Sequence, residues 1–271
     1  MSGRAPKKAI IIAAGRGRRL GPHTEETPKC LVPVGAQPIL GWVARAFEAA
    51  GIEELVIIRG YRGDLLEAGA RALWPGPIRF IDNPAWQTNN VLLSLAYARA
   101  ELDDATLVTY SDIIFTPAVA RAITAAPDDL ALVIDTAFKD IYVGRTEHPL
   151  DEGEVADLDD RGGVKRVGKR ALPAHEAYGE FIGLAKLSAA GARLCGAALD
   201  ELAAQYAERE DEPFQRAARY QNAYLTDLLQ HLIDRGQPVA PVPIVGQWRE
   251  IDTGQDLERA RLLVESQEEW S

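Results

Sequence analysis

The continuous apolar run at residues 9–14 constrains the fold more than any other feature, because two glycines follow it at once. An unbroken apolar segment of this length is typical of a strand that is covered on both faces. Gly15 and Gly17 tolerate φ > 0 and let main-chain N–H groups approach a ligand without a Cβ in the way. The sequence therefore predicts a buried strand that ends in an anion-binding loop.

The same loop is locally cationic in a chain of formal net charge -10. Its charged side chains sum to +2 and are Arg16, Arg18, Arg19 and Lys29 against Glu25 and Glu26. Guanidinium and ammonium groups form short, charge-assisted hydrogen bonds to phosphate oxygens, so the loop is predicted to bind a polyphosphate. The alternative is a surface Gly-Arg turn, which the Gly-x-Gly spacing alone would favour.

Two common phosphate-binding motifs are excluded. The dinucleotide fingerprint requires a third glycine where this chain has Leu20, and no window fits the P-loop pattern. What remains is Gly-x-Gly-x-Arg-Leu, followed by Lys29 in a Pro-Lys pair. Lys29 at this spacing favours the phosphate site over the surface turn.

This pattern resembles the signature of the nucleotidyltransferases that make sugar nucleotides and related CDP compounds. In that family the glycines and the arginine hold a nucleoside triphosphate, and the lysine reaches its phosphates. The resemblance implies these roles for Arg19 and Lys29, which we take as the catalytic residues, and it extends over residues 8–257. The family more often has Ser or Thr at the position of Arg18, so that residue receives no role.

Apolar strand patterns alternate with helical patterns from the first strand onward. This alternation predicts an α/β fold, and with the resemblance it implies a Rossmann-like three-layer α/β/α architecture around a mixed, mainly parallel central sheet. Ligands then collect at the carboxyl ends of the strands, so Gly15 and the segments after Ile81 and Tyr110 should share one edge. We treat residues 1–271 as a single domain, with residues 135–186 as a possible substrate-facing lobe.

Thr88, Asn89 and Asn90 precede a predicted helix at the expected ligand edge. One of them could cap that helix, and the others could bind polar atoms of a base or of the second substrate; both interpretations stay open. With Ser94, the wording of this segment resembles the phosphocholine and phosphonate cytidylyltransferase branch. The resemblance implies nucleotide binding by Ala13, Ala14, Gly15, Gly17, Thr88, Asn89 and Ser94.

Two aspartates are candidate metal ligands. Asp112 follows an apolar strand, where a carboxylate is costly unless it is solvated, paired or metal-bound, and it lies too far from Pro117 to cap the next helix. Asp252 stands just outside a predicted capping box of Thr253 and Asp256. The resemblance implies that Asp112 and Asp252 together bind Mg²⁺.

The second half of the chain contains the candidate acceptor site. Residues 179–184 read Gly-Glu-Phe-Ile-Gly-Leu and match the wording of the same branch. Glu180 could face a cationic substrate group or could be an edge-strand charge in water, and Lys169 could neutralise the acceptor phosphate or be a solvated lysine. The resemblance implies substrate binding by Asn90, Tyr142, Arg145, Lys169 and Glu180.

Composition excludes several classes of protein. The chain is 47% hydrophobic and 26% charged, as in ordinary globular enzymes, and its acidic balance argues against general nucleic-acid binding. No apolar window could span a bilayer and the first residues lack a signal-peptide core, so we expect a cytoplasmic protein without a membrane partner. Cys30 and Cys195 form neither a disulfide framework nor a zinc-binding spacing.

Together these features lead us to expect a Mg²⁺-dependent cytidylyltransferase that uses CTP, or another nucleoside triphosphate, and a small phosphate or phosphonate acceptor. One alternative is a sugar-1-phosphate nucleotidylyltransferase. Another, from a different class, is a non-catalytic nucleotide-binding regulatory protein. The sequence leaves open the acceptor, the base, the oligomeric state and the roles of Asp227 and Lys186.

Overall fold

The computed structural model describes residues 4–267 and residue 270. The strands are β1 Lys8–Ala13, β2 Pro33–Val34, β3 Gln37–Pro38, β4 Glu54–Arg59, β5 Ile78–Asp82, β6 Thr106–Tyr110, β7 Ile113–Phe115, β8 Leu130–Asp135, β9 Glu154–Leu158, β10 Val164–Lys169, β11 Gly179–Leu187, β12 Ala240–Ile244 and β13 Trp248–Glu250. The α-helices are α1 Ile39–Ala49, α2 Gly63–Leu73, α3 Val91–Tyr97, α4 Pro117–Ala125, α5 Phe138–Tyr142, α6 Ala189–Tyr206, α7 Leu225–Asp234 and α8 Gly254–Ser266. Short 3-10 turns lie at Arg18–Thr24, Lys29–Leu31, Arg99–Glu101, Leu150–Glu152 and Tyr220–Asn222.

A mixed sheet organises these elements in the order β10-β9-β11-β6-β1-β4-β5, and β8 pairs with both β11 and β12. β1 is parallel to β4 and β6, and β4 is parallel to β5. β11 introduces the antiparallel pairs, with β6, β8 and β9. The α/β prediction with a mixed, mainly parallel sheet is confirmed, and it brings the carboxyl ends of β1 and β6 to one edge.

Alternate residues of β1 enter two different cores. Ile10 and Ile12 pack in the core that includes apolar residues of α3, α6 and α7. Ile11 packs in the core that includes residues of α1 and α4, so helices cover both faces of the sheet. Each fully buried aliphatic side chain contributes about 1.5–3 kcal/mol, which makes this central strand a rigid support for the loop after it.

A third, smaller core attaches the C-terminal segment to the rest of the protein. Ile251 and Leu257 pack there with Trp42 of α1 and Leu20 of the N-terminal loop. α8 begins with the predicted capping box, in which Thr253 accepts from the Asp256 N–H and Asp256 accepts from the Thr253 N–H. The segment that carries Asp252 is therefore fixed on both sides.

The capping interpretation of the Thr88–Asn90 segment is wrong. Asn90 is the N-cap residue of α3, but its side chain makes no capping bond and donates instead to the Asn222 carbonyl at 2.8 Å. Thr88 donates to the Ala85 carbonyl at 3.1 Å. Thr88 and Asn90 are thus held by main-chain carbonyl groups outside the following helix, and neither side chain caps that helix.

In the part of the chain that the structure describes, no helix combines the length and the apolar character needed to cross a membrane.

Candidate active site

The glycine loop after β1 brings Lys29 to the edge of the sheet. Gly17 has φ 70°, and a Cβ there would lie 2.6 Å from Lys29 Cδ. The Thr24 hydroxyl donates to the Gly17 carbonyl at 2.9 Å and so links residues 17 and 24 of the loop. Only glycine satisfies both the dihedral angle and the close approach, so this position determines where the Lys29 side chain runs.

The two predicted metal ligands meet at Lys29. Its ammonium donates to Asp112 Oδ2 at 2.9 Å and also to Asp252 Oδ1, and Arg19 forms an ion pair with Asp252 Oδ2. Burial opposes the charge on Lys29, but the two carboxylates more than offset this and hold the pKa of the ammonium above its usual value. The pKa of Asp252 is lowered, because Lys29, His148 and Arg19 outweigh the effect of burial.

The donor set fits a hard divalent cation. Asp112 Oδ1 is buried and has no hydrogen-bond partner among residues 4–267 and 270. The other oxygen of this carboxylate, Oδ2, accepts from the Lys29 ammonium, which also donates to Asp252. Mg²⁺ prefers carboxylate oxygens and keeps several waters, so two convergent aspartates beside the predicted phosphate-binding loop are suitable ligands.

A short sheet joins the two aspartates. β7 directly follows Asp112 and pairs antiparallel with β13, which ends two residues before Asp252. The Ile251 N–H donates to the Asp112 carbonyl at 2.8 Å. The Asp252 N–H donates to Asp256 Oδ2 at 3.2 Å, which links the aspartate to the first turn of α8.

Arg145 supports Asp252 from behind and does not line the cavity. It is 7% exposed, and its guanidinium donates to both Asp256 oxygens at 2.6 and 3.0 Å and to Glu250 at 2.8 Å. Sequence analysis predicts a substrate contact for Arg145, but the structure uses its donors to fix the Asp252 segment.

His148 is a site residue that sequence analysis missed. It is 1% exposed, and its Nδ1 lies 3.3 Å from Asp252 Oδ2 and 3.4 Å from an Arg19 nitrogen. A single histidine in a mixed-polarity stretch has no motif around it, so only its spatial position reveals it. His148 connects the arginine of the loop to the second aspartate.

Arg19, Lys29, Asp112 and Asp252 line a cavity of about 250 Å³ at the carboxyl edge of the sheet. The predicted residues that line it are Ala14, Gly15, Gly17, Arg19, Lys29, Asn89, Asn90, Ser94, Asp112, Lys169, Glu180 and Asp252. Four predicted residues do not line it: Ala13 is buried in β1, Thr88 borders a separate cavity, and Tyr142 and Arg145 are buried outside the lining. The loop, the segment after β5 and the segment after β6 thus share one edge, as predicted.

Asn83, Asn89 and Ser94 form a hydrogen-bonded group. Asn83 donates to Asn89 Oδ1 and to Ser94 Oγ, both at 2.9 Å, and is 1% exposed. Asn89 in turn donates to Asn83 Oδ1 at 3.1 Å. Asn83 therefore fixes two of the predicted nucleotide-binding residues, Asn89 and Ser94, without lining the cavity itself.

A second part of the cavity lining is acidic. We call it the acidic wall: Glu152, Glu154, Glu180 and Glu250. The 3-10 turn at Leu150–Glu152 and strands β9, β11 and β13 supply one residue each, so no single stretch of sequence contains the wall. Lys169 stands beside it, 3.4 Å from Glu152 and 4.7 Å from the Tyr224 ring centre.

Two members of the acidic wall, Glu180 and Glu154, are buried and accept hydrogen bonds only from neutral groups. Burial raises the pKa of Glu180 to about 8, and the nearby Glu250 adds to this; its Oε1 accepts from the Tyr142 hydroxyl at 2.6 Å. Burial raises the pKa of Glu154 to about 7, and Tyr110 donates to it at 3.0 Å. Glu180 lies on β11 inside the sheet and is 3% exposed, so the interpretation as an edge-strand charge in water is wrong.

Two residues left open by the sequence have structural contacts. Asp227 accepts from the Tyr224 N–H at 2.8 Å and caps α7. Lys186 donates to the Asp128 carbonyl at 3.2 Å, away from the cavity. Burial raises the pKa of the Cys30 thiol to about 12, which agrees with its interpretation as a packing residue.

Comparison with known proteins gives one matching family model. The model of the MobA-like NTP transferase domain matches residues 9–177. CTP:phosphoglutamine cytidylyltransferase of Campylobacter jejuni is 28% identical over 256 residues, covering 92% of this chain and 97% of that protein. 2-Aminoethylphosphonate cytidylyltransferase of Lancefieldella rimae is 27% identical over 187 residues, covering 68% of each.

Other similar proteins use a different nucleotide or show the fold alone. Glucose-1-phosphate thymidylyltransferase of Streptomyces griseus is 30% identical over 270 residues, covering 96% of this chain and 67% of that protein. The solved structure of CTP:phosphocholine cytidylyltransferase from Streptococcus pneumoniae superposes with a TM-score of 0.68 at 20% identity, covering 95% of this chain and 98% of that chain. This structural similarity supports the same α/β architecture around the cavity.

Proposed function

The chain belongs to the MobA-like NTP transferase family, and on this premise we propose that it is a Mg²⁺-dependent cytidylyltransferase. It transfers CMP from CTP to a small phosphate or phosphonate acceptor and releases pyrophosphate. The observation that carries the proposal is the convergence of Asp112 and Asp252 on Lys29, beside the glycine-arginine loop. That arrangement supplies what the reaction of two anions requires, which is alignment and positive charge.

The bond changes are simple. An acceptor oxygen attacks the α-phosphorus of the triphosphate, and the bond from that phosphorus to the α,β-bridging oxygen breaks. The electron pair leaves with pyrophosphate. Because the attacking oxygen is already anionic, the protein needs no general base.

Residues of the chain hold the reacting groups. Main-chain N–H groups at Gly15 and Gly17 are suited to the triphosphate, as are Arg19 and Lys29, which line the cavity beside them. Asp112 and Asp252 would hold Mg²⁺, which when bound supplies positive charge to phosphate oxygens. The negative charge of the two aspartates keeps Lys29 protonated at neutral pH, so it can act as a fixed cation.

The remaining lining separates into two sides. Asn89 and Ser94, fixed by Asn83, offer an amide and a hydroxyl to the nucleoside. Lys169 and Asn90 lie in the lining and are suited to the acceptor phosphate. Cytosine as the base is supported by the relatives that use CTP, and nothing in the residue chemistry of the cavity selects it.

The proposal is tested by measuring pyrophosphate release with each nucleoside triphosphate and a panel of phosphate and phosphonate acceptors. We expect turnover with CTP, and Lys29→Ala should lower it about 10²- to 10³-fold, the cost of removing one preorganised donor. Lys165→Ala is the matched control, because Lys165 is an exposed strand lysine outside the cavity. Unchanged turnover in Lys29→Ala would remove the proposed role of Lys29.

A sugar-1-phosphate nucleotidylyltransferase is the second candidate, favoured by the similarity to a thymidylyltransferase over most of the chain. It would use the same loop and aspartates with a hexose phosphate as acceptor, so the acceptor panel separates the two. A non-catalytic nucleotide-binding protein is disfavoured, because Lys29, Asp112 and Asp252 are all present and in contact. Absence of pyrophosphate with every triphosphate would favour it.

A further inference from the structure

Tyr61, in the segment after β4, contacts the glycine-arginine loop at two separate points. Its N–H donates to the Ala14 carbonyl at 2.9 Å, directly before the first loop glycine. Its hydroxyl donates to the Glu25 carbonyl, in the later part of the loop. Three cavity-lining residues lie between these two points, namely Gly15, Gly17 and Arg19. Tyr61 therefore restrains the part of the loop that faces the cavity from both sides.

The ring of Tyr61 also contacts Arg16, the residue between the two loop glycines. The guanidinium carbon of Arg16 lies 5.5 Å from the centre of the Tyr61 ring. Arg16 Nε is buried and has no hydrogen-bond partner among residues 4–267 and 270. Because the face of an aromatic ring attracts a cation, the tyrosine ring stabilises the guanidinium where no acceptor reaches Nε. This is a third contact between Tyr61 and the loop.

The same ring contacts Trp86, a cavity-lining residue of the segment after β5. The two ring centres are 5.4 Å apart, and the rings meet edge to face at 60°. Trp86 shares the lining with Asn89 and Ser94, the residues proposed to face the nucleoside, whereas Tyr61 does not line the cavity. Tyr61 thus joins the loop to the nucleoside side of the cavity from outside it.

Gly60 lets the three segments meet at this point. A Cβ at Gly60 would lie 2.7 Å from the Ala14 carbonyl oxygen and 2.7 Å from Trp86 Cβ. Carbon atoms that are not bonded do not approach so closely, so only glycine fits there. The main chain after β4 is therefore packed directly between the start of the loop and Trp86.

We propose that Tyr61 is a positioning residue that holds the glycine-arginine loop and Trp86 at a fixed separation, so that one nucleoside triphosphate contacts both. The inference rests on the proposed function, in which the loop binds the triphosphate and the segment of Trp86 and Asn89 faces the nucleoside. A ligand that spans two binding regions gains affinity only while their separation matches it. Inorganic tripolyphosphate needs the loop alone, whereas CTP needs the loop and the nucleoside side together.

The experiment compares the binding of CTP and inorganic tripolyphosphate to the full chain by isothermal titration calorimetry with Mg²⁺. The ratio of the tripolyphosphate Kd to the CTP Kd measures what the nucleoside adds to the affinity. In Tyr61→Leu this ratio should fall about tenfold, because the aromatic contact that fixes Trp86 against the loop is lost. In turnover, the KM for CTP should rise while the KM for the acceptor stays unchanged.

Tyr61→Phe keeps the ring and removes only the hydroxyl bond to Glu25. Both ligands should then bind about threefold more weakly, the net effect of one hydrogen bond, and the ratio should keep its wild-type value. Tyr178→Leu is the matched control, because Tyr178 is 37% exposed, precedes β11 and lies outside the cavity lining. It should change neither affinity.

Three results would overturn the inference. If Tyr61→Leu weakens both ligands equally, or weakens neither, Tyr61 does not set the separation of the two regions. If Tyr61→Leu does not fold, Tyr61→Phe decides, and unchanged affinities or a changed ratio in that variant would reject the positioning role.

Failure of the proposed function gives a different result. Wild-type protein would then bind no nucleoside triphosphate and release no pyrophosphate with any acceptor. Hydrogen–deuterium exchange tests Tyr61 in that case, because it needs no ligand. Residues 14–25 and residues 85–90 should both exchange faster in Tyr61→Leu than in wild type, and unchanged exchange in either segment would reject the role of Tyr61.

Discussion

The cavity lining has two contrasting parts, the glycine-arginine loop and the acidic wall. The loop is cationic and contiguous, with Gly15, Gly17, Arg19 and Lys29 in one short stretch after β1. The wall is acidic, and its four glutamates come from a turn and three strands spread between residues 152 and 250. The part proposed for the triphosphate is thus encoded locally, and the part proposed for the acceptor is assembled from the fold.

The first prediction removes the charge of Asp252, which links the loop to the C-terminal segment. Asp252→Asn should lower turnover about 10³-fold, because it removes a proposed metal ligand and the partner of Lys29 and Arg19. Pyrophosphate release measures the loss, and circular dichroism checks folding. Asp200→Asn is the control, since Asp200 pairs with Arg99 on the surface. Turnover within about threefold of wild type would contradict the metal-ligand role.

The second prediction concerns the support behind the aspartate. Arg145→Lys cannot keep the bidentate contact with Asp256, so the Asp252 segment should lose its fixed orientation. We expect the Mg²⁺ concentration for half-maximal activity to rise about 10- to 100-fold, the range found when groups that orient metal ligands are changed. Arg193→Lys, on the exposed face of α6, should leave it unchanged. A change in the KM for the acceptor alone would instead favour the direct substrate contact predicted from the sequence.

The third prediction uses pH to test the acidic wall separately from the glycine-arginine loop. Glu180 is neutral below its pKa of about 8 and charged above it, and only the charged form attracts an ammonium. The kcat/KM ratio of O-phosphoethanolamine to ethyl phosphate should therefore rise about tenfold from pH 7 to pH 9. The groups that face Glu180 are Tyr142 on α5, Glu250 on β13, Asp135 on β8 and Arg145. A ratio that stays flat, or falls, across this range would contradict the prediction.

The smallest effect is expected at His148. His148→Asn places an amide nitrogen near the position of Nδ1, and His148→Gln places it near Nε2, so only the first keeps the contact with Asp252. We expect Asn to retain activity within about twofold and Gln to lose about fivefold, the effect of one hydrogen bond. Titration of Mn²⁺ binding should follow the same order. Equal losses in both variants would show that the ring is needed only for packing.

Sequence reasoning predicted the glycine-arginine loop and the acidic wall with unequal success. The loop could be found because glycines, an arginine and a lysine at fixed spacing follow an apolar strand. Asp112 could be found because it ends a strand, and Asp252 because it precedes a capping box. Their approach to Lys29 supports these predictions and leaves their roles to the experiments above.

The acidic wall could not be predicted as a unit. Glu154 and Glu180 lie on antiparallel strands whose register places Glu180 opposite Val155, and no local pattern gives that register. Arg145 contacts Asp256, 111 residues further along the chain, and supports Asp252 through it. His148 contacts Asp252 itself, 104 residues further along. Burial of a charge is a property of the assembled fold, so a residue such as Glu180 looks like a solvent-exposed acid until its neighbours are known.

The Lys29 contacts also bear on how the chain matures during synthesis. The lysine is made early, but its partners lie 83 and 223 residues further along. A growing polypeptide therefore carries the glycine loop long before it can bring together the two aspartates proposed to bind a metal ion. A fragment that stops ahead of Asp252 would keep every residue of the N-terminal signature and still lack half of the proposed metal centre.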